Sequence, residues 1–179
     1  MIQPVIASEY KGGFLVKVRW ARLDDFDAVN QWIGSKEELK QWSGSGFKYP
    51  LSIKQWEDYL NEKDRHSFTA VWEDSPAGHI SIGRIERCTT GRIGRVITSP
   101  EHRGKKIAGQ MLRETITYAF DELDLKTVTL GVFPFNTPAI RVYEKAGFSL
   151  KETGRTKETT GGDRWNTLEM ILFKSEWKN

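Results

Sequence analysis

The sequence predicts an α/β (α+β) fold: a mixed, mostly antiparallel twisted sheet flanked by helices. Three observations carry this. Short alternating apolar runs fill Ser67 to Thr98, divided by turn residues, the pattern of an antiparallel meander. From Gly104 the period changes, and Ile107/Ala108, Met111/Leu112, Thr115/Ile116, Ala119/Phe120 and Leu123 recur about every four residues, as on an amphipathic helix. Strand and helix signals then alternate to the end. At 179 residues the chain is sized for one domain spanning 1–179, long enough to bury about 70% of its unfolded surface.

The elements follow in order. Residues 1–13 end in Lys11-Gly12-Gly13 and read as a loose arm. Phe14, Val16, Val18 and Trp20 alternate with other residues as a strand. Asp24 and Asp25 open a helix through Phe26, Val29 and Trp32-Ile33, an acidic start that suits the helix dipole. The stretch Trp42 to Pro50 is rich in glycine and serine but holds Trp42, Phe47 and Tyr49. It reads as an ordered loop and a candidate substrate wall. Ser52 caps a short helix carrying Ile53, Trp56, Tyr59 and Leu60. Ser67–Trp72, His79–Ile85 and Arg92–Thr98 read as strands, separated by turns at residues 73–78 and 89–91, with His79 at a strand edge. After the long helix come a strand at Thr127–Val132, a helix from Thr137-Pro138 to Gly147, a strand from Phe148, a turn at 160–163 and a last strand at Trp165–Phe173.

Composition narrows the function. Hydrophobic residues make up 38% and charged residues 28%, a balance for a folded soluble chain rather than a disordered one. No apolar run is long enough to cross a membrane. The first residues lack the basic-then-apolar pattern of a secretory signal, so the expected compartment is cytoplasmic. One cysteine, Cys88, and three scattered histidines leave no set of ligands for a metal. Between Arg84 and Lys106, seven cations face two carboxylates. That local excess exceeds the net +3 of the whole chain, so an anion is expected nearby.

The long helix starts oddly. Its entrance reads Pro100-Glu-His-Arg103-Gly104-Lys105-Lys106-Ile107-Ala108-Gly109. Lysines in a first turn oppose the dipole at ~0.3–1 kcal/mol each. Glycines inside a helix cost about another kcal/mol each. Both costs make sense if unpaired amides, dipole and lysines together hold an anion such as a diphosphate.

Two motifs now stand in order. Arg103-Gly104-Lys105-Lys106-Ile107-Ala108 follows a strand. Downstream lies Asn136-x-x-Ala139-x-x-x-Tyr143-x-x-x-Gly147-Phe148. Together they resemble the GNAT superfamily of N-acetyltransferases, whose phosphate motif is Arg/Gln-x-x-Gly-x-Gly/Ala; Lys106 stands where the family has its middle glycine. The resemblance covers Thr69 onward. The N-terminal part is similar to the subgroup that acetylates ribosomal-protein alanine N-termini and small amines.

The resemblance implies acetyl-CoA as acyl donor, no metal, and a primary amine as partner, whether a peptide N-terminus or a small molecule. It implies that the main chain of Arg103, Gly104, Lys105, Lys106, Ile107 and Ala108 holds the CoA diphosphate, that Ile97 and Thr98 pair with the pantetheine arm, and that Asn136 contacts that arm. Tyr143 is then the general acid toward the thioester sulfur. Members often carry a carboxylate base on the strand before the phosphate loop. Here Arg92–Thr98 has none, and Glu86 is the substitute, with a water chain or an already neutral amine as alternatives. A homodimer is compatible with the family. Two other readings compete: a non-catalytic acyl-CoA sensor or scaffold, because the base is displaced, and an RNA-binding module, which the basic stretch suggests but no stacking motif supports. Neither nucleic acid nor membrane is an expected partner.

Overall fold

The computed structural model describes residues 6–9, 15–151, 156–158 and 164–178. Two strands, β1 (Ile6–Glu9) and β2 (Leu15–Trp20), come first. A 3-10 turn at Leu23–Asp25 leads into helices α1 (Phe26–Gln31), α2 (Lys36–Ser43) and α3 (Ile53–Leu60). The meander is β3 (His66–Trp72), β4 (Ser75–Glu86) and β5 (Thr90–Thr98). Then come α4 (Ile107–Asp121), β6 (Thr127–Val132), α5 (Thr137–Lys145), β7 (Ser149–Leu150), β8 (Thr156–Glu158), β9 (Arg164–Asn166) and β10 (Leu168–Phe173).

Eight strands form one sheet in the order β1-β2-β3-β4-β5-β6-β10-β7, and β8 and β9 pair separately. Every described pairing is antiparallel except β5 with β6. The period-two alternation of β4 divides its residues between two faces. Ile80 and Ile82 join Ile93 under Met111, Leu112 and Ile116 of α4 in the larger core. The opposite face carries α1 to α3, whose Val29, Leu39, Trp56 and Tyr59 make a second core. Asp25 ties that layer down. Its buried carboxylate accepts from both terminal nitrogens of Arg19, at 2.9 and 2.7 Å, from the Arg22 amide at 2.8 Å and from the Thr69 hydroxyl at 2.8 Å. Burial pushes its pKa up, but these donors outweigh it and hold the carboxyl below its ordinary value.

Two irregularities of β5 shape the site. Its parallel ladder to β6 covers only Thr90↔Thr127, Gly91↔Val128 and Arg92↔Thr129; beyond Arg92 the strands part. The register to β4 also slips between His79↔Ile97 and Ser81↔Gly94. The extra residue lies at Arg95, with φ +53°, a β-bulge that re-aims side chains.

Several elements depart from expectation. The arm at 1–13 contributes β1, which covers the edge of β2 through Ile6↔Val18 to Glu9↔Leu15, where unpaired main-chain groups would otherwise remain. Trp42 lies on α2, not in a loop. Ser35 caps that helix by accepting from Glu38 N at 3.1 Å, and Glu38 accepts from Gly34 N at 2.6 Å, a reciprocal capping arrangement. The turn expected over 73–78 tightens to Glu73 and Asp74, at φ 46° and 62°, so Ser75 already pairs with Trp72. His79 is not at an edge: it is fully buried mid-sheet. The last expected strand is two, β9 and β10, in different sheets. The turn at 160–163 lies outside the described residues.

Candidate active site

Where β5 and β6 part, a groove of about 380 Å³ opens. Gly94, Arg95 and Val96 line it from β5, Leu130 to Val132 from β6, and Asn136 and Tyr143 from the α5 segment. Trp42 to Gly46, at the end of α2, close it on the opposite face.

The main chain of β5 has an unused side here. Ser99 N donates to Ala77 O at 2.9 Å, so that pair is hydrogen-bonded, and by alternation the next pair, Gly78↔Thr98, is not. Thr98 and Val96 therefore turn their N–H and C=O groups toward the opening, while Ile97 turns its own toward β4. Of the two residues expected to meet an extended ligand arm, Thr98 is the one whose main-chain groups face the opening. Val96 shares that direction, and Ile97 packs its side chain on the α1–α3 core.

The strand leads straight into the entrance of α4. Arg103, Gly104, Lys105 and Lys106 are all exposed. Gly104 has φ +80°, and a Cβ added there would touch nothing within 4 Å. Lys106 is the N-cap residue, with φ 62° and ψ 13°, and no side chain caps the helix. Its left-handed backbone explains why this motif otherwise carries glycine at that position. Arg103 N and Lys105 N bond to Pro100 O and His102 O at 3.4 and 3.3 Å, which shapes the turn. The first-turn amides of Ile107 and Ala108 lie at the positive end of a fifteen-residue helix. Such an end favours an anion.

Asn136 and Tyr143 come to the groove through α5. The Asn136 side chain caps that helix, accepting from Ala139 N at 3.3 Å. Tyr143 lies seven residues on, 8% exposed, its ring edge-on to Phe148 with centroids 6.2 Å apart. Burial pushes its pKa up to about 12, so the hydroxyl stays protonated and can donate.

Other sequence candidates lie elsewhere. Glu86 is exposed, at the β4 end that pairs with Thr90, where β5 and β6 are still joined. It does not line the groove. Cys88 is exposed in the same turn. Phe47 stacks on Trp42 with centroids 5.6 Å apart, beneath the groove wall. Tyr49 is 49% exposed and outside the lining. His79 bonds Tyr59 Oη through Nε2 at 2.9 Å. Burial lowers its pKa to about 3, so it stays neutral in the second core.

The basic stretch divides in two. Arg103, Lys105 and Lys106 surround the α4 entrance. Arg84, Arg92 and Arg95 line the groove, joined by Arg65. Sequence reasoning found the charge excess but not this second group, because the bulge that aims Arg95 has no residue signature. Among the described lining residues no carboxylate or histidine occurs, and no group of three or more metal-ligating side chains forms among the described residues.

Comparison with known proteins agrees with this geometry. A profile described as the Acetyltransferase (GNAT) family matches residues 28–148. The spermidine N(1)-acetyltransferase of Escherichia coli (strain K12) is 22% identical over 163 residues, covering 90% of this chain and 88% of that protein. A putative ribosomal N-acetyltransferase, YdaF, of Bacillus subtilis (strain 168) is 29% identical over 109 residues, 60% of this chain and 59% of that one. In fold, the spermidine N-acetyltransferase from Vibrio cholerae, solved with CoA and spermine, superposes with a TM-score of 0.76 at 19% identity, over 92% of this chain and 98% of that one. By its parted strands, its two motifs and the profile match, the chain belongs to the GNAT family of acetyl-CoA-dependent N-acetyltransferases.

Proposed function

We propose that this enzyme moves an acetyl group from acetyl-CoA to a primary amine, small molecule or peptide N-terminus, by direct attack while both are bound. The observation that supports this most is the groove itself: two parted strands beside an uncapped helix start, with Tyr143 inside. The main chain from Arg103 to Ala108 is suited to hold the diphosphate, and Thr98 and Val96 to pair with the pantetheine arm. Bound there, acetyl-CoA supplies an activated acyl group as a thioester.

The protein's own part is modest. The groove holds amine and acyl carbon in line, which alone can supply several kcal/mol. A β5 N–H donates to the acyl oxygen as negative charge builds there. Tyr143 gives its hydroxyl proton to the departing sulfur. The proton shed by the amine nitrogen returns through water to the tyrosine oxygen, so an amine and a thioester become an amide and a thiol. The arginines lining the groove disfavour an ammonium ion and so favour the neutral, attacking amine. They take the place of a base that no described lining residue provides.

Calorimetry with acetyl-CoA, followed by thiol release over a panel of peptides and small amines, tests this. Saturable binding with amine-dependent release is expected, and absence of acetyl-CoA binding overturns it. Binding with no release across the panel would favour the sensor reading, which the lack of a base alone supports.

A further inference from the structure

The groove is charged in a way that bears on the acceptor. Arg65, Arg84, Arg92 and Arg95 line it, and no described lining residue is a carboxylate. Two of the four have partners nearby: Arg92 forms a two-pronged pair with Glu169 at 2.6 and 2.8 Å, and Arg65 Nε meets Glu62 at 2.7 Å. Among the described residues, Arg84 and Arg95 have no carboxylate within ion-pair distance.

Arg95 is held with care. Its guanidinium lies over the rings of Phe47 and Tyr59, 5.1 and 5.0 Å from their centroids, which fixes its plane. Its Nε is buried with no hydrogen-bond partner, a deficit that calls for an acceptor. Glycines make room for the cluster: a Cβ at Gly46 would collide with Arg95, at Gly83 with Arg65, and at Gly131 with Arg92. Burial works against the charge of Arg95, Tyr59 and Glu62 counter it in part, and the cations of Arg65 and Arg84 add to the cost. Like charges gathered at this cost are relieved by an anion.

We propose that Arg95, with Arg84 beside it, receives a carboxylate on the acceptor, so that the enzyme acetylates amino-carboxylates in preference to polyamines. This rests on the transferase reading above and names its substrate class. A guanidinium fork matches a carboxylate through paired N–H donors. A polyamine would bring further ammonium groups against the same cations. The diphosphate seat at α4 is built from a different set of residues, so the two anions have separate places.

The test compares each acid with its primary amide: glycine, β-alanine, γ-aminobutyrate and diglycine, with spermidine alongside. Binding to the CoA-saturated protein is read by calorimetry and transfer by thiol release. For at least one pair the acid is expected to be favoured about tenfold or more over its amide, with spermidine weaker than that acid. Arg95→Met should bring acid down to amide while acetyl-CoA affinity changes by no more than about twofold; Arg95→Lys should keep part of the preference. Parity of acids and amides across the panel, a preference for spermidine, or an equal loss of acetyl-CoA affinity in Arg95→Met overturns the proposal. The wild-type comparison stands even if a variant fails to fold. Loss of acetyl-CoA binding by the wild-type protein would instead overturn the transferase reading, so the two failures are distinct.

Discussion

Tyr143 shows how one environment serves two ends. The burial that lifts its pKa to about 12 keeps the proton on the oxygen and leaves the ring packed on Phe148. Removing only the oxygen therefore separates chemistry from packing. In Tyr143→Phe, kcat is expected to fall about 10²-fold, with KM for acetyl-CoA changed by no more than about twofold, as read by steady-state thiol release. Losses of equal size in both would assign the side chain to packing instead. Tyr143 was legible in the sequence because it sits seven residues after a helix-capping asparagine and four before a glycine, a spacing that places it on one helix face. Arg95 was not legible. Its direction depends on a backbone at φ +53°, and nothing in Gly94-Arg95-Val96 marks which strand residue bulges. Glu86 stands on β4 rather than β5, at the end where β5 and β6 are still joined and outside the groove lining, because sequence spacing alone does not tell where the sheet opens.

At the scale of elements, the entrance to α4 carries a conformational cost that the proposed diphosphate seat explains. Lys106 holds a left-handed backbone at φ 62°, which costs a non-glycine residue roughly 1–2 kcal/mol. The neighbouring Gly104, at φ +80° with open space around its Cα, offers a cleaner test. Asparagine tolerates such a backbone, so Gly104→Asn should leave acetyl-CoA affinity within about threefold. Gly104→Glu adds strain and a negative charge facing the diphosphate, and is expected to weaken binding at least about thirtyfold by calorimetry. Equal affinities for the two variants would contradict the proposed seat. The same backbone logic explains which elements could be read in advance. Thr127–Val132 alternates cleanly and matches the observed strand at both ends, and Thr137-Pro138 marks the observed helix start, although that helix ends at Lys145, two residues before Gly147. Helix α2 escaped because, of its eight residues, Leu39 is the buried one. Its signal lies in the Ser35–Glu38 cap rather than in any apolar period.

Across the whole molecule, the proposed transfer has donor and acceptor meeting in the groove with no protein group carrying the acetyl between them. The sheet parts along β5, whose Gly94 to Val96 line the arginine-rich groove and whose C-terminal end leads on to the α4 entrance. Cys88 lies in the exposed turn before β5, at the end where β5 and β6 are still paired. Within the groove, Ser43 spends its hydroxyl proton on Leu39 O at 2.7 Å, and no described lining carboxylate or histidine could activate it. Transfer should then proceed in a single complex, with intersecting rather than parallel initial-rate lines and no acetylated protein on mixing with acetyl-CoA alone. The pH dependence follows from the same layout. His79 titrates near 3 and Tyr143 near 12, so neither ionises between about pH 5 and 10, and kcat/KM should rise with pH only as the free acceptor loses its ammonium proton. Two acceptors whose amine pKa values differ by about one unit should give profiles displaced by about the same amount. A midpoint that stays fixed while the amine changes would place a base of the protein's own in the groove and overturn this account.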